Sequence, residues 1–187
     1  DVVLTEADSI TVLDALAASG LRSVRYVKEI PGLGRVVVND VDESAVELVR
    51  RNIEFNGVGH AAEASHADAV QLMLNHRPGS AGEPFDVIDL DPYGTAAPFL
   101  DAAVQAVRHG GLLCVTATDM AVLSAVYPEK CMANYGTLPV KGPYHAEMAL
   151  RVLLHAIDSH ANVYGRYVQP VLSVAVDFYC RVFVRVF

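Results

Sequence analysis

Phe85-Asp86-Val87-Ile88-Asp89-Leu90-Asp91-Pro92-Tyr93-Gly94 is the stretch on which the reading of this chain turns. An apolar run of strand length passes directly into a carboxylate, a proline, an aromatic ring and a glycine. Pro92 cannot donate to a ladder, so the strand must end there, leaving Asp91 and Tyr93 at its carboxyl end. Outward from it, short apolar runs alternate with helical patterns. Strands are predicted at Ile10–Leu13, Arg35–Val38, Ala62–Ser65, Phe85–Leu90, Leu112–Thr116, Val168–Val176 and Tyr179–Val186. A helix follows Ser19-Gly20 to Glu29, and Pro31-Gly32 breaks it. Another runs from Asp42-Glu43-Ser44 to Asn56-Gly57, and shorter ones span Asp68–Asn75 and Ala97–Val107, the last stopping at Gly110-Gly111. Residues 117–142 read as long and irregular, and a final helix covers Tyr144–Ser159, with Met148, Val152 and Leu153 in the core.

Strands apolar throughout and joined by crossover helices make a mostly parallel sheet of about seven strands covered on both faces. The last two have no helix between them, which predicts an antiparallel finish. With 187 residues, 52% hydrophobic and 19% charged, the chain supports one domain with a substantial core and is too apolar for disorder. No apolar run approaches the 20 or so residues of a membrane span, and Asp1–Asp8 has the wrong charge for a signal peptide. Cys114, Cys131 and Cys180 are far apart, which speaks against a disulfide framework or structural zinc and for a reducing, intracellular setting. His66 and His109 read as loop or helix-end residues, and no metal is expected. The net charge of −8 is the wrong sign for a simple nucleic-acid binder. Residues 1–126 carry an acidic surplus of ten, whereas residues 127–187 carry a basic surplus of two. A nucleic-acid partner would approach the C-terminal part or be held by protein outside this chain.

Ligands of such sheets gather at the carboxyl ends of the strands. After the first strand, Asp14 through Arg22, with Ser19 and Gly20 in it, forms a small-residue turn into a helix N-terminus, where free backbone N–H groups can meet a ligand. It lacks the G-x-G-x-x-G of a dinucleotide site. After the second strand, Asp40 (with Val41 beside it) is placed to grip a ribose diol, or to cap a helix, a role Asp42 could fill instead. After the third, Asp68 and Ala69 suit an adenine amino group and ring, or a simple cap. After the fourth, Asp91, Pro92, Tyr93 and Gly94 suit a planar amine: carboxylate and carbonyls accept its protons and Tyr93 stacks on its ring. Asp89 is either a second carboxylate at the chemistry or a strand residue bonded to a neighbouring loop, the second being preferred. Tyr144, His145 and Glu147 could reach the active-site mouth, although a helix cap is the commoner explanation.

These four strand-end motifs resemble a Rossmann-like class I S-adenosylmethionine-dependent methyltransferase of the amino-methylating kind. More closely, Asp14–Arg25, Asn39-Asp40, Asp86–Gly94, Phe99–Val107, Thr118–Leu123 and His145–Arg151 resemble the tRNA (guanine-N2)-dimethyltransferases. The resemblance implies S-adenosylmethionine as cofactor and methylation, usually twice, of the exocyclic amine of guanosine at tRNA position 26. It implies Arg22 as a cofactor-contacting arginine, Asp40 as the ribose ligand, Asp68 and Ala69 as the adenine contacts and Asp91 as the catalytic acid, with Tyr93 as its aromatic. It further implies a tRNA partner, no membrane, and a segment before this start and a tRNA-gripping domain after Phe187 that lie outside the chain. The nucleus, cytoplasm and mitochondrion are not told apart. Three other readings compete. An NAD-dependent oxidoreductase is opposed by the missing glycine motif. A non-catalytic RNA-binding subunit is opposed by intact Asp40, Asp68 and Asp91. An amino-methyltransferase of another nucleic acid is opposed by the stretches after Gly94.

Overall fold

A computed structural model describes residues 9–187, so the expectation for Asp1–Asp8 lies outside the described residues. The elements are β1 (Ile10–Asp14), α1 (Leu21–Glu29), β2 (Leu33–Asp40), α2 (Glu43–Asn56), β3 (Ala62–His66), α3 (Ala69–Leu74) and β4 (Phe85–Leu90). They continue as α4 (Ala97–Ala106), β5 (Val107–Ala117), α5 (Met120–Leu123), α6 (Pro128–Tyr135), α7 (His145–Val163), β6 (Val168–Val176) and β7 (Tyr179–Val186). The strands form one sheet of order β3-β2-β1-β4-β5-β7-β6. The five strands β1–β5 are parallel to one another, and β7 runs antiparallel to both β5 and β6. The chain winds outward from β1 to β3, then crosses back to β4. The switch point therefore lies between β1 and β4, where Asp14 stands beside Asp89.

Side-chain alternation divides the core in two. Val12, Val36 and Val38 pack with Val24 of α1 and Val49 of α2 on one face. Leu13, Val37, Ile88 and Leu90 turn to the other face, against α3, α4 and α7. Helices thus cover both faces of β1–β4. Along β7, Cys180, Val182, Val184 and Val186 are buried against the second core, and the intervening side chains, Arg181 among them, point to the face that carries α1 further along the sheet.

Four expectations need correction. Residues 117–142 hold two short helices, α5 and α6, because Pro128 starts a helix from its first turn and Gly136 closes it at φ 67°. Gly110-Gly111 does not stop α4, which ends at Ala106. The chain is already extended at Val107, and Gly110 (φ 75°) sits in a bulge where Phe85 pairs with Val107 but Val87 with Leu112. His109 accordingly lies within β5, and His66 closes β3. The final helix runs four residues beyond its expected end, to Val163, with Val152 and Leu153 buried as predicted.

Candidate active site

Four adjacent strands, β3-β2-β1-β4, end side by side. Their spacing of about 4.8 Å spreads the loops after them over roughly 14 Å, the span of an extended nucleoside with a short side chain. At the outer end, Asp68 caps α3 by accepting from the Gln71 N–H at 2.9 Å, and Ala69 opens that helix among its free amides. The capping reading of Asp68 is therefore met, and its second carboxylate oxygen makes no hydrogen bond among the described residues. At the next strand, Asp42 caps α2, which leaves Asp40 for other work. Asp40 accepts from the Ala18 N–H at 2.8 Å and from the Asp42 N–H at 3.0 Å, so its carboxylate is fixed in direction. Val41 is exposed, and its carbonyl accepts from His66 Nε2.

The turn after β1 is held from three sides. Ala15 and Ala17 donate their N–H groups to the carbonyls of Asp89 and Asn39, and Asn52 of α2 donates to the Ser19 carbonyl. Ala18 is kept at φ 49°, a left-handed conformation costly for alanine, by the same N–H that Asp40 grips. Gly20 (φ 69°) begins α1 with no side-chain cap, which leaves the first-turn amides of that helix to other acceptors. Buried Asn39 ties the loops after β1 and β3 together, donating to the carbonyls of Ala15 and Ala67. Its Oδ1 is buried without a hydrogen-bond partner among the described residues.

Charge concentrates at the switch point. Asp14 is buried and accepts from the Ser23 hydroxyl at 2.6 Å; burial raises its pKa from the usual 3.8 to about 6. Asp89 is wholly buried and accepts from Arg181 at 2.8 and 2.9 Å, from Arg22 at 3.3 Å and from the Tyr26 hydroxyl. Asp89 is thus a bonded strand residue, as preferred from sequence. Burial pushes the Tyr26 hydroxyl well above its ordinary range, so it remains a donor. Arg22 also donates to Asp91 Oδ2, and Asp91 Oδ1 has no partner among the described residues. Sequence reasoning missed Arg181, Tyr26, Tyr135 and Asp119. Only the last could have been flagged locally, since it lies within the Thr118–Leu123 stretch.

Asp91 begins a loop clamped by β5 and α6. Thr118 donates its N–H to the Gly94 carbonyl at 2.9 Å, while the Gly94 N–H donates to Thr118 Oγ1 at 2.6 Å. The buried Tyr135 hydroxyl accepts from Thr95 at 2.8 Å and donates to Asp119 at 2.9 Å. Pro92 is buried, and Gly94 takes φ 88° with open space where a Cβ would stand. Tyr93 is 99% exposed, its ring a free platform at the mouth. Glu147 pairs with Arg151 at 2.6 Å, and no hydrogen bond joins Tyr144, His145 or Glu147 to this loop among the described residues. A cavity of about 460 Å³ lies at the opposite edge of the sheet, where Arg166 donates to the carbonyls of Val107 and Arg108 beside Pro84 and Tyr164. None of Asp14, Asp40, Asp68 and Asp91 lines it. Among the described residues, no helix is long and apolar enough to cross a membrane and no cluster of metal-ligating side chains occurs.

Known proteins bear on this geometry. The family model of N2,N2-dimethylguanosine tRNA methyltransferase matches residues 3–187. The mouse tRNA (guanine(26)-N(2))-dimethyltransferase is 58% identical over 180 residues, covering 96% of this chain and 27% of its own length. An Arabidopsis thaliana relative of the same name is 55% identical over 178 residues, covering 94% and 29%. The solved structure of Trm1 from Pyrococcus horikoshii with S-adenosyl-L-methionine superimposes with a TM-score of 0.88 at 34% identity, over 95% of this chain and 50% of that one. The chain spans little more than a quarter of the length of the curated relatives it matches. With its 3-2-1-4-5-7-6 sheet and its strand-end motifs, the chain belongs to the N2,N2-dimethylguanosine tRNA methyltransferase family.

Proposed function

We propose that this chain is the methyl-transferring domain of a longer tRNA (guanine-N2)-dimethyltransferase, acting on guanosine 26 and using S-adenosylmethionine. Its mouse relative carries that name, and the archaeal Trm1 structure holds that cofactor. The observation that carries the reading is Asp91: one oxygen is held by Arg22, the other is open, and the exposed ring of Tyr93 stands two residues away.

The donor set fits the cofactor. Asp40, fixed by two backbone amides, presents its remaining lone pairs to a ribose diol, and Asp68 and Ala69 offer an acceptor and an amide for adenine. The open amides at the start of α1, with Asp14, Ser19, Gly20 and Arg22 around them, suit the amino-acid portion. When bound, the sulfonium supplies an electrophilic methyl group. Tyr93 stacks on the guanine, which must leave its stack to be reached. Asp91 Oδ1 accepts a hydrogen bond from the exocyclic N2, localising the nitrogen lone pair. As the N–CH3 bond forms and the S–CH3 bond breaks, the carboxylate takes the N2 proton. The methylated nitrogen is a strong acid at that moment, so a carboxylate suffices to take its proton. Gly94, Thr95 and Ala96 are small enough to admit a second methyl group.

The three cysteines are free and buried, which supports an intracellular site of action. The test is to incubate the full-length protein with methyl-labelled cofactor and unmodified tRNA and to digest to nucleosides. Label is expected in N2-methylated guanosine at position 26, and D91A is expected to abolish transfer while cofactor binding survives. Label confined to methyladenosine, or near-normal turnover by D91A, would overturn the assignment.

A further inference from the structure

The proton acceptor is tied to the far side of the sheet through a chain of contacts. Arg181 lies on β7, 92 residues from Asp89, and donates through Nη2 to both oxygens of that carboxylate. Its Nη1 donates to Thr116 of β5, and its guanidinium rests 5.0 Å from the centre of the Phe183 ring. Asp89 in turn receives Arg22 Nη1, whose other nitrogen holds Asp91 Oδ2. Side-chain exposure rises along this path, from nothing at Asp89 and 15% at Arg181 to 38% at Arg22. A fully buried carboxylate with two guanidinium partners costs desolvation that an apolar pair would not. The outward end of the path is Asp91, whose Oδ1 has no partner among the described residues.

We propose that Arg181 is a positioning residue for methyl transfer: by saturating Asp89, it leaves Arg22 free to hold Asp91 with Oδ1 turned to the substrate amine. This rests on reading Asp91 as the acceptor. Without the Arg181 charge, Asp89 draws Arg22 inward. Asp91 then loses both its orientation and its nearest cation. Asp91 faces Arg22 and Asp14, and the ionisable groups around Asp89 behind it are Asp14 on β1, Arg22 and Tyr26 on α1, Cys114 on β5 and Arg181 on β7. Burial, with Asp89 beside it, pushes the Cys114 thiol up to about 12, so it stays neutral in the working range. The Tyr26 hydroxyl likewise stays protonated. Asp14 releases its proton near pH 6, so kcat is compared on the plateau above that pH.

The experiment compares R181Q, R181K and Y26F in the full-length protein carrying carboxyl-13C aspartate, at one fixed pH, with D91N and D14N difference spectra assigning the two signals. R181Q is expected to displace the Asp91 carboxyl resonance, because Arg22 no longer holds it. It should also lower the plateau kcat of methyl transfer about tenfold, with the KM for S-adenosylmethionine within about twofold. R181K, which keeps the charge, should leave the resonance in place and recover most of kcat. If R181Q fails to fold, Y26F decides by the same signal, since removing that hydroxyl from Asp89 draws Arg22 away from Asp91 in the same way. An unmoved Asp91 resonance in folded R181Q or Y26F, or equal kcat losses in R181Q and R181K, would overturn the proposal. A resonance that moves in a protein transferring no methyl to tRNA would instead sink the guanosine reading and leave the coupling standing.

Discussion

Replacing Asp14 with Asn tests how much buried charge the switch point stores. Asp14 is 2% exposed, and its carboxyl releases its proton near pH 6 rather than 3.8 because burial disfavours the anion, with Asp89 and Asp91 adding repulsion. The unfolded chain gives up that proton near 3.8. Below about pH 4 both states are protonated and the site costs nothing. Between pH 4 and 6 only the unfolded state ionises, so stability falls as pH rises; above 6 the loss is complete. At about 1.4 kcal/mol per pH unit, the gap is worth about 3 kcal/mol. Asn has the shape of the neutral acid and can keep the Ser23 hydroxyl as a donor, but it never ionises. The stability of D14N minus that of the unsubstituted protein should therefore climb by about 2 kcal/mol from pH 4.5 to 6.5 and then level off. Any repacking cost shifts the whole curve and leaves its slope alone. Urea unfolding followed by far-UV circular dichroism measures the difference; the chain has no tryptophan to report instead. A difference constant to within about 0.5 kcal/mol across that window would refute the reasoning.

Three further outcomes follow from the same contacts. Y135F removes the hydroxyl that joins Thr95 to Asp119, and should cost about 1–3 kcal/mol in denaturant unfolding while lowering kcat more than cofactor affinity. G20A forces a side chain into a φ of 69° with its Cβ 3.2 Å from Val49 and 3.3 Å from Val38. Thermal unfolding should show a loss of about 2 kcal/mol or more. D40N keeps the shape but drops the charge of the proposed ribose ligand, so calorimetry should find S-adenosylmethionine binding weakened by tenfold or more, with Tm changed by only a few degrees.

How far the site could be read in advance follows from where its parts lie along the chain. Asp91 follows an apolar run directly, Asp40 follows one after a single Asn, and Asp68 follows a weaker, mixed strand pattern. The rule that such runs become strands with loops at one edge therefore places all three without tertiary knowledge. The short helices α5 and α6 hide among Pro128, Gly136 and Pro139, where turn residues outnumber any helical period, and packing against α7 and α4 supplies what propensity does not. Val107 fits the last turn of a helix and the first residue of a strand equally well. Its pairing with Phe85 settles the choice, and no local pattern records that pairing. Arg181 is the sharpest case. In sequence it is one charge alternating with apolar residues on a late strand, the pattern of a solvated face. It becomes a partner of Asp89 only because the antiparallel insertion of β7 beside β5 brings its outward face within reach of α1. A motif read along the chain therefore names Asp91, the proposed contact of the substrate amine. The groups that hold that carboxylate in direction are gathered by strand order, and strand order is where mutational tests of this site have most to find.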